Sequence, residues 1–353
     1  MKNFIYAACI LLLSSCSQNN STTPQPQTIT TDDSTKPQPS VTLTAIDSNL
    51  TRTAMLIAGK DSLFDYNHSK WDIAQLNKFR IETEKKYARM VNTRLNPMMN
   101  WSNTILGNEK ISDTTFAFYP FSGGDFIHLQ WLYPNANNYL MVAKESVGSI
   151  PNLTSQTNTE VLNYLLRVDN VLRDIYSKSY FITKNMIRDI KTANIVDGML
   201  PVIVWACGRT NYEICSLSYF FIDANASEIP CESAKATGVR IKVKHSPTQK
   251  IKTITYLSTD ISNSGFTTNS SMFQYLQKAI PNNSNSFVKS ASYLLHYTTF
   301  SQIRDLILSK SKVLIQDDTG IPFKFFKTDI WNVHLYGKYE KPVKDFSENL
   351  FQS

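Results

Sequence analysis

The residues best suited to chemistry lie in Tyr119-Pro120-Phe121-Ser122-Gly123-Gly124-Asp125-Phe126, with His128 close behind. The order reads as a strand, a tight glycine turn and a helix start. A helix N-terminus exposes unpaired N–H groups and the positive end of its dipole, so Ser122, Gly123 and Gly124 are candidates for holding an anion. Asp125 and His128 stand about one helical turn apart, a carboxylate and an imidazole able to act as acid and base. The same residues also fit a structural role. Ser122 and Asp125 have capping-box spacing, and the glycines permit a left-handed turn. No lysine follows where a phosphate-binding P-loop needs one.

A second acidic pair, Asp317 and Asp318, sits in Gln316-Asp317-Asp318-Thr319-Gly320. Crowded carboxylates bind a cation or divide into acid and base. Consecutive strand residues point to opposite faces, however, and Asp near Gly is turn chemistry, so a hairpin turn is the expectation. His296 falls on an apolar stretch that reads as helix, where an interior histidine is expected. There is no Gly-x-Ser-x-Gly elbow and no His-Glu-x-x-His. No spacing asks for a metal ion or a cofactor. Cys207, Cys215 and Cys231 match no zinc pattern and are expected as small hydrophobes, Cys207 inside the apolar run 200–206. A Cys215–Cys231 bridge stays open as the alternative.

The elements that must position these residues follow from periodicity. Ser69 to Leu95 predicts a long helix ended by Pro97, Thr157-x-x-Glu160 opens a second with a capping box, and Thr183 to Ile190 adds a shorter one. Phe116 to Phe121 and Tyr139 to Lys144 read as strands, with a helix over Phe126 to Tyr133 between them. Tyr212 to Asp223, Gly238 to Lys244 and Ile251 to Ser258 alternate as half-buried antiparallel strands do. Helices are then expected at Thr267 to Ala279, Ser286 to His296 and Ser301 to Lys310. Lys312 to Gln316 and Pro322 to Phe326 predict a hairpin, and Trp331 to Tyr336 a last strand. The class is α+β: central antiparallel strands with flanking helices in a single compact body.

The N-terminus carries an address. Lys2 precedes an apolar run from Phe4 to Leu13, too short to cross a hydrocarbon core of roughly 30 Å as a helix but matched to a secretory signal. The run closes on Leu13-Ser14-Ser15-Cys16, which resembles the lipobox of bacterial lipoproteins. That resemblance implies diacylglyceryl transfer to the Cys16 thiol, cleavage before it and fatty acylation of the new N-terminus. Several acyl chains anchor far better than one, at about 0.8 kcal/mol per buried methylene. Residues 1–15 are then a signal peptide, 16–40 the lipidated cysteine and a stalk, and 41–353 the globular α+β domain. The stalk is rich in Gln, Asn, Ser, Thr and Pro and lacks the apolar surface to offset its ordering entropy. Ser17 stands where an aspartate would favour the inner membrane, so the outer membrane facing the periplasm is expected.

Removing Lys2 with the signal lowers the formal charge from +7 to +6, a mild bias that admits an anionic polymer or lipid head groups as partner. Nucleic acid is not expected in the envelope. With 42% hydrophobic residues the body can bury a large core. The body also resembles a family of uncharacterised Bacteroidota-type lipoproteins. The likeness is carried by Tyr119 to Phe126, Tyr133-Pro134-Asn135-Ala136, Lys289 to His296, Gln316 to Pro322 and Trp331 to Tyr339. Gly124 departs from the proline expected there. The family brings no catalytic residues. The leading expectation is a noncatalytic lipoprotein that binds an envelope protein or polymer. The alternative is an envelope hydrolase using Asp125, His128 and the Asp317–Asp318 turn, which requires His128 and a carboxylate to converge within hydrogen-bond reach in a cleft.

Overall fold

The alternation between Tyr212 and Ser258 builds three long antiparallel strands. The computed structural model describes residues 45–60, 72–107, 115–178, 196–289, 291–317, 319–327, 329–332 and 334, within a unit spanning Thr44–Ser353. In chain order its elements are α1 (Ser48–Ile57), α2 (Ile73–Met90), α3 (Asn96–Leu106), β1 (Phe116–Pro120), α4 (Phe126–Leu132), β2 (Asn138–Ala143), α5 (Asn158–Val171) and α6 (Arg173–Lys178). Then come α7 (Leu200–Arg209), β3 (Tyr212–Ile222), β4 (Glu228–Pro230), β5 (Gly238–His245), β6 (Ile251–Ser258), α8 (Ser271–Ala279), β7 (Ser284–Val288), α9 (Ser301–Lys310) and β8 (Ser311–Gln316). The strands form one sheet ordered β4-β3-β5-β6-β2-β1-β7-β8.

The class is α+β, with helices packed on one mixed sheet. Its antiparallel strands lie to one side rather than at the centre. β4, β3, β5 and β6 pair antiparallel, whereas β6–β2, β2–β1, β1–β7 and β7–β8 are all parallel. Parallel strands are covered on both faces and lose the alternating pattern that marks a half-exposed strand. β7 shows the effect: all five residues are buried, including Ser284, Asn285 and Ser286. Two crossovers close the parallel half, β1–α4–β2 on one side and β7–α9–β8 on the other.

The two sheet faces carry separate apolar layers, as a period of two demands. Ala117, Tyr119, Tyr139, Met141, Ile254 and Tyr256 face α1, α4, α5 and α7. Phe118, Leu140, Val142, Leu257 and Val288 face α8 and α9. α7 is buried on every side, all ten of its residues lying inside.

Several expected boundaries move. Asp72, not Ser69, caps α2, and Pro97 does not stop the chain. The helix passes through a π-helical turn at Val91–Leu95 into α3, where Pro97 lies in the first turn. Ser286 to His296 is no helix but β7 followed by a 3-10 segment, Ala291–His296. The expected hairpin is absent: Phe323–Phe325 is 3-10 helix, and β8 pairs instead with β7. Trp331, Asn332 and His334 carry no strand, and the rest of that stretch lies outside the described residues, as does Thr183 to Ile190. The Thr157–Glu160 capping box forms as expected. Cys207, Cys215 and Cys231 are free thiols, so the alternative bridge is not formed, and Cys231 is only half buried.

Candidate functional site

Where β1 ends, the chain must turn sharply into α4. Phe121 and Gly123 both adopt left-handed backbone, at φ 61° and 53°. A non-glycine residue in that region is strained and persists only where its surroundings fix it. The Ser122 N–H donates to the Val142 carbonyl at 3.0 Å, pinning the turn to the end of β2. The N-cap of α4 is Asp125, whose Oδ1 accepts weakly from the His128 N–H at 3.5 Å. Ser122 does not cap the helix. Its hydroxyl donates to the Gly123 and Val142 carbonyls.

This corner offers no seat for an anion at Ser122, Gly123 and Gly124. The Asp125 carboxylate already occupies the helix start, and all three residues are buried. Gly124 serves packing instead, because a Cβ there would lie 2.9 Å from the Val202 Cβ on α7. Its missing side chain lets the turn touch that helix.

Around Asp125 the fold assembles a buried polar cluster. His128 Nδ1 lies 2.6 Å from Asp125 Oδ1, both side chains 3% exposed. Asp125 Oδ2 accepts from the Tyr119 hydroxyl at 3.2 Å and lies 3.8 Å from Lys289 Nζ. Lys289 directly follows β7, and Asp317 directly follows β8. The Asp317 N–H donates to the Val288 carbonyl at 3.3 Å, while its Oδ1 accepts from Ser292 Oγ at 2.9 Å and Thr319 Oγ1 at 2.8 Å. Ser292 is fully buried. Lys289 is 15% exposed, and Asp317 is likewise only half buried.

The cluster thus gathers at the C-terminal ends of parallel strands: Tyr119 lies in β1, Asp125 and His128 on the turn and helix that follow it, Lys289 directly after β7 and Asp317 directly after β8. The crossovers leave β1 and β7 in opposite directions, which makes the β1–β7 boundary a topological switch point. Crevices at such points, outside the carboxyl ends of strands, are where open α/β sheets bind ligands.

The charges are tuned by burial and by one another. Burial holds the His128 imidazole below its ordinary range; Asp125 opposes this, and Lys289 and Arg94 reinforce it. Burial likewise lowers the Lys289 ammonium, against the pull of Asp125 and Asp317. The Tyr119 phenol is pushed far up, by burial first and then by the two carboxylates. A neutral imidazole beside a carboxylate donates from Nδ1 and keeps its lone pair on Nε2. That Nε2 is buried and has no hydrogen-bond partner among the described residues. The arrangement is an oriented base beside a cation, with two acids adjusting both.

The structure thus brings Asp125, His128 and Asp317 to one cluster. Asp318 lies outside the described residues. Asp317 opens the expected turn, its carbonyl accepting from the Gly320 N–H at 3.1 Å, but the turn follows β8 without closing a hairpin, and the carboxylate turns back to Ser292 and Thr319. His296, expected inside a helix, is half buried at the end of the 3-10 segment. Lys289 and Ser292 escaped the sequence reasoning, since only strand order joins them to Asp125 and Asp317; Tyr119 and Thr319 lay within the stretches singled out but had no role assigned. Among the described residues no group of three His, Cys, Asp or Glu side chains is placed to hold a metal ion. Among them, too, no helix is long and apolar enough to cross a membrane. Compared with protein-family models, curated proteins and solved structures, the chain matches none.

Proposed function

We propose that the chain is a lipid-anchored envelope hydrolase whose reacting base is His128, oriented by Asp125. The observation that carries this reading is the 2.6 Å Asp125–His128 pair, whose far nitrogen has no partner among the described residues. Burying an acid, an imidazole and a phenol, with a second acid and an ammonium half-buried beside them, is unfavourable compared with apolar residues of the same size. Such a cluster at the strand ends is the pattern of a site whose groups are held ready for a reaction. Lys289, 3.8 Å from Asp125, supplies positive charge for an oxyanion as it develops.

In this reading a water O–H proton passes to His128 Nε2 while the water oxygen bonds to the acyl or phosphoryl centre. The bond to the leaving group then breaks, and the same proton goes to that group. Three of the stretches that carry the resemblance to envelope lipoproteins, around Tyr119, Lys289 and Gln316, supply these residues. The tether at Cys16 and a periplasm-facing outer membrane belong to the same proposal. Fatty-acid label on the wild type and none on Cys16→Ala is the expected outcome, and label surviving in the variant would refute the anchor.

Activity is tested by incubating the full mature chain, in neutral detergent, with fractionated envelope polymers and lipids and following soluble products by mass spectrometry. His128→Gln and Asp125→Asn are expected to lower the rate at least a hundredfold while the far-ultraviolet spectrum stays unchanged. Equal rates in wild type and both variants would overturn the hydrolase reading. One observation favours the noncatalytic alternative: Tyr293 and Tyr297, 39% and 50% exposed beside Ser292, present aromatic surface to a partner. Capture of one envelope component without turnover, abolished by replacing these two tyrosines with serine, would establish it.

A further inference from the structure

At the opposite end of β1, where β2 also begins, a cavity of about 350 Å³ opens between the sheet and α8. Strand register builds its floor. Thr255 on β6 lies directly between Arg240 on β5 and Leu140 on β2, and Thr253 lies beside Asn138. Residues opposite one another share a face, so two hydroxyls, an amide and a guanidinium line this side of the sheet. The apolar layer beneath α8 ends here, at Leu140 and Phe116.

One wall is closed by an ion pair. Arg240 Nη1 and Nη2 donate to the two Glu228 carboxylate oxygens at 2.6 and 2.5 Å, and the Tyr275 hydroxyl donates to Glu228 Oε1 at 2.5 Å. That pair is balanced within itself and gives the cavity a rigid side. The unspent groups lie elsewhere. Thr255 is only 7% exposed and lines the cavity, yet its hydroxyl has no hydrogen-bond partner among the described residues. A buried hydroxyl in that state is unfavourable unless something else supplies the missing bond. The Thr253 hydroxyl and the Asn138 side-chain amide are likewise unpartnered among the described residues, and Lys278, exposed near the end of α8, forms no ion pair with them.

Hydroxyls and an amide each give and take hydrogen bonds, which matches a compound that itself carries several hydroxyl groups. Phe116 and the Tyr275 ring add apolar surface, suited to the C–H face of a sugar ring. A wholly apolar ligand would bury the polar floor without partners, and a polyphosphate would need more than one unbalanced cation. Lys278 calls for a single negative charge. We propose that this cavity binds a hexuronic acid unit, a sugar ring with one carboxylate, its hydroxyls on Thr253, Thr255 and Asn138 and its carboxylate on Lys278. The site lies at the other end of β1 from Asp125 and His128, so it stands whether or not that cluster is catalytic.

Saturation-transfer magnetic resonance measures binding without turnover, on the full mature chain at low salt in a zwitterionic detergent whose head group carries no sugar. The probes are D-glucuronate, D-galacturonate and D-mannuronate, each beside its neutral hexose. At least one uronate is expected to bind at millimolar concentration, and its hexose about threefold more weakly, as the loss of one exposed charge pair implies. Thr255→Val keeps the shape of the side chain and removes only the hydroxyl. It is expected to weaken uronate binding at least fivefold, with a melting temperature that does not fall, because the hydroxyl holds nothing inside the protein. Lys278→Gln is expected to bring the uronate down to the affinity of the hexose and to leave the hexose unchanged. His128→Gln is expected to bind as the wild type does. No binding by any uronate, undiminished binding after Thr255→Val, equal affinity for acid and hexose, or an acid preference that survives Lys278→Gln would each overturn the proposal.

Discussion

At the scale of single residues, Asp125 is the hinge of the cluster. It serves the α4 N-terminus, His128, Tyr119 and Lys289 together. Asp125→Ala would strand an imidazole, a phenol and an ammonium without their common acceptor, a loss of about 3–5 kcal/mol on the scale of broken buried ion pairs. Urea denaturation measures it. His128 also gives stability a pH dependence whose sign is fixed by its environment. Its folded proton affinity lies below that of the unfolded chain, whose imidazole titrates near about 6.5. The unfolded state therefore binds more protons in mild acid, so the contribution of His128 is complete above that pH and is lost as pH falls toward the folded value. Urea midpoints at pH 7, 6 and 5 are expected to fall more steeply for the wild type than for His128→Gln. Parallel slopes would contradict the burial argument. The Asp125–His128 spacing was legible in the sequence because three residues on a helix are neighbours. The role of Asp125 as cap was not, because Ser122 offers the same chemistry and only the turn geometry chooses between them.

At the scale of elements, local signals survived and tertiary ones did not. The Thr157–Glu160 capping box and the alternating strands β3, β5 and β6 are properties of short windows, and both appear where the sequence places them. β7 was misread because Ser284-Asn285-Ser286-Phe287-Val288 neither alternates nor looks apolar. Its burial comes from lying between β1 and β8. Pro97 was misread as a stop because a π-turn that resets the helix leaves no signature in composition. α7 shows a further element-level constraint. A Cβ at Gly208 would meet the Ala54 carbonyl oxygen at 2.5 Å and the Ala58 Cβ at 2.7 Å, so α1 and α7 touch through that gap. Gly208→Ala gains about 1 kcal/mol of helix propensity but forces apart two packed backbones, at about 1–3 kcal/mol. Because the closest atom is backbone and cannot swing away, net destabilisation is expected in urea titration. A more stable variant would show that α1 is free to shift.

At the scale of the whole molecule, two differently built halves share one sheet. The helix-rich face and the sheet interior keep Cys207 and Cys215 from solvent, while Cys231 is half exposed. Burial also pushes the Cys207 thiol up, leaving almost no thiolate at neutral pH. Of these three thiols, one is expected to react promptly with a disulfide reagent in the native protein and all three in denaturant. Rapid native labelling at Cys207, read by peptide mass, would contradict the packing around α7. The antiparallel half is continuous in sequence, from Tyr212 to Ser258, and its strands meet across short turns. The parallel half joins segments more than 160 residues apart, with Ala117 set against Asn285. Chains reach distant pairings more slowly than near ones, because loop entropy opposes them before any contact forms. The hairpin half is thus a template that can exist first, and the β1–β7 seam is a late arrival. Since Asp125 and Lys289 come from opposite sides of that seam, any chemistry they share has to appear in the last phase of refolding. Recovery of the site then reports that the entire chain has found its native topology, whereas recovery of sheet signal does not.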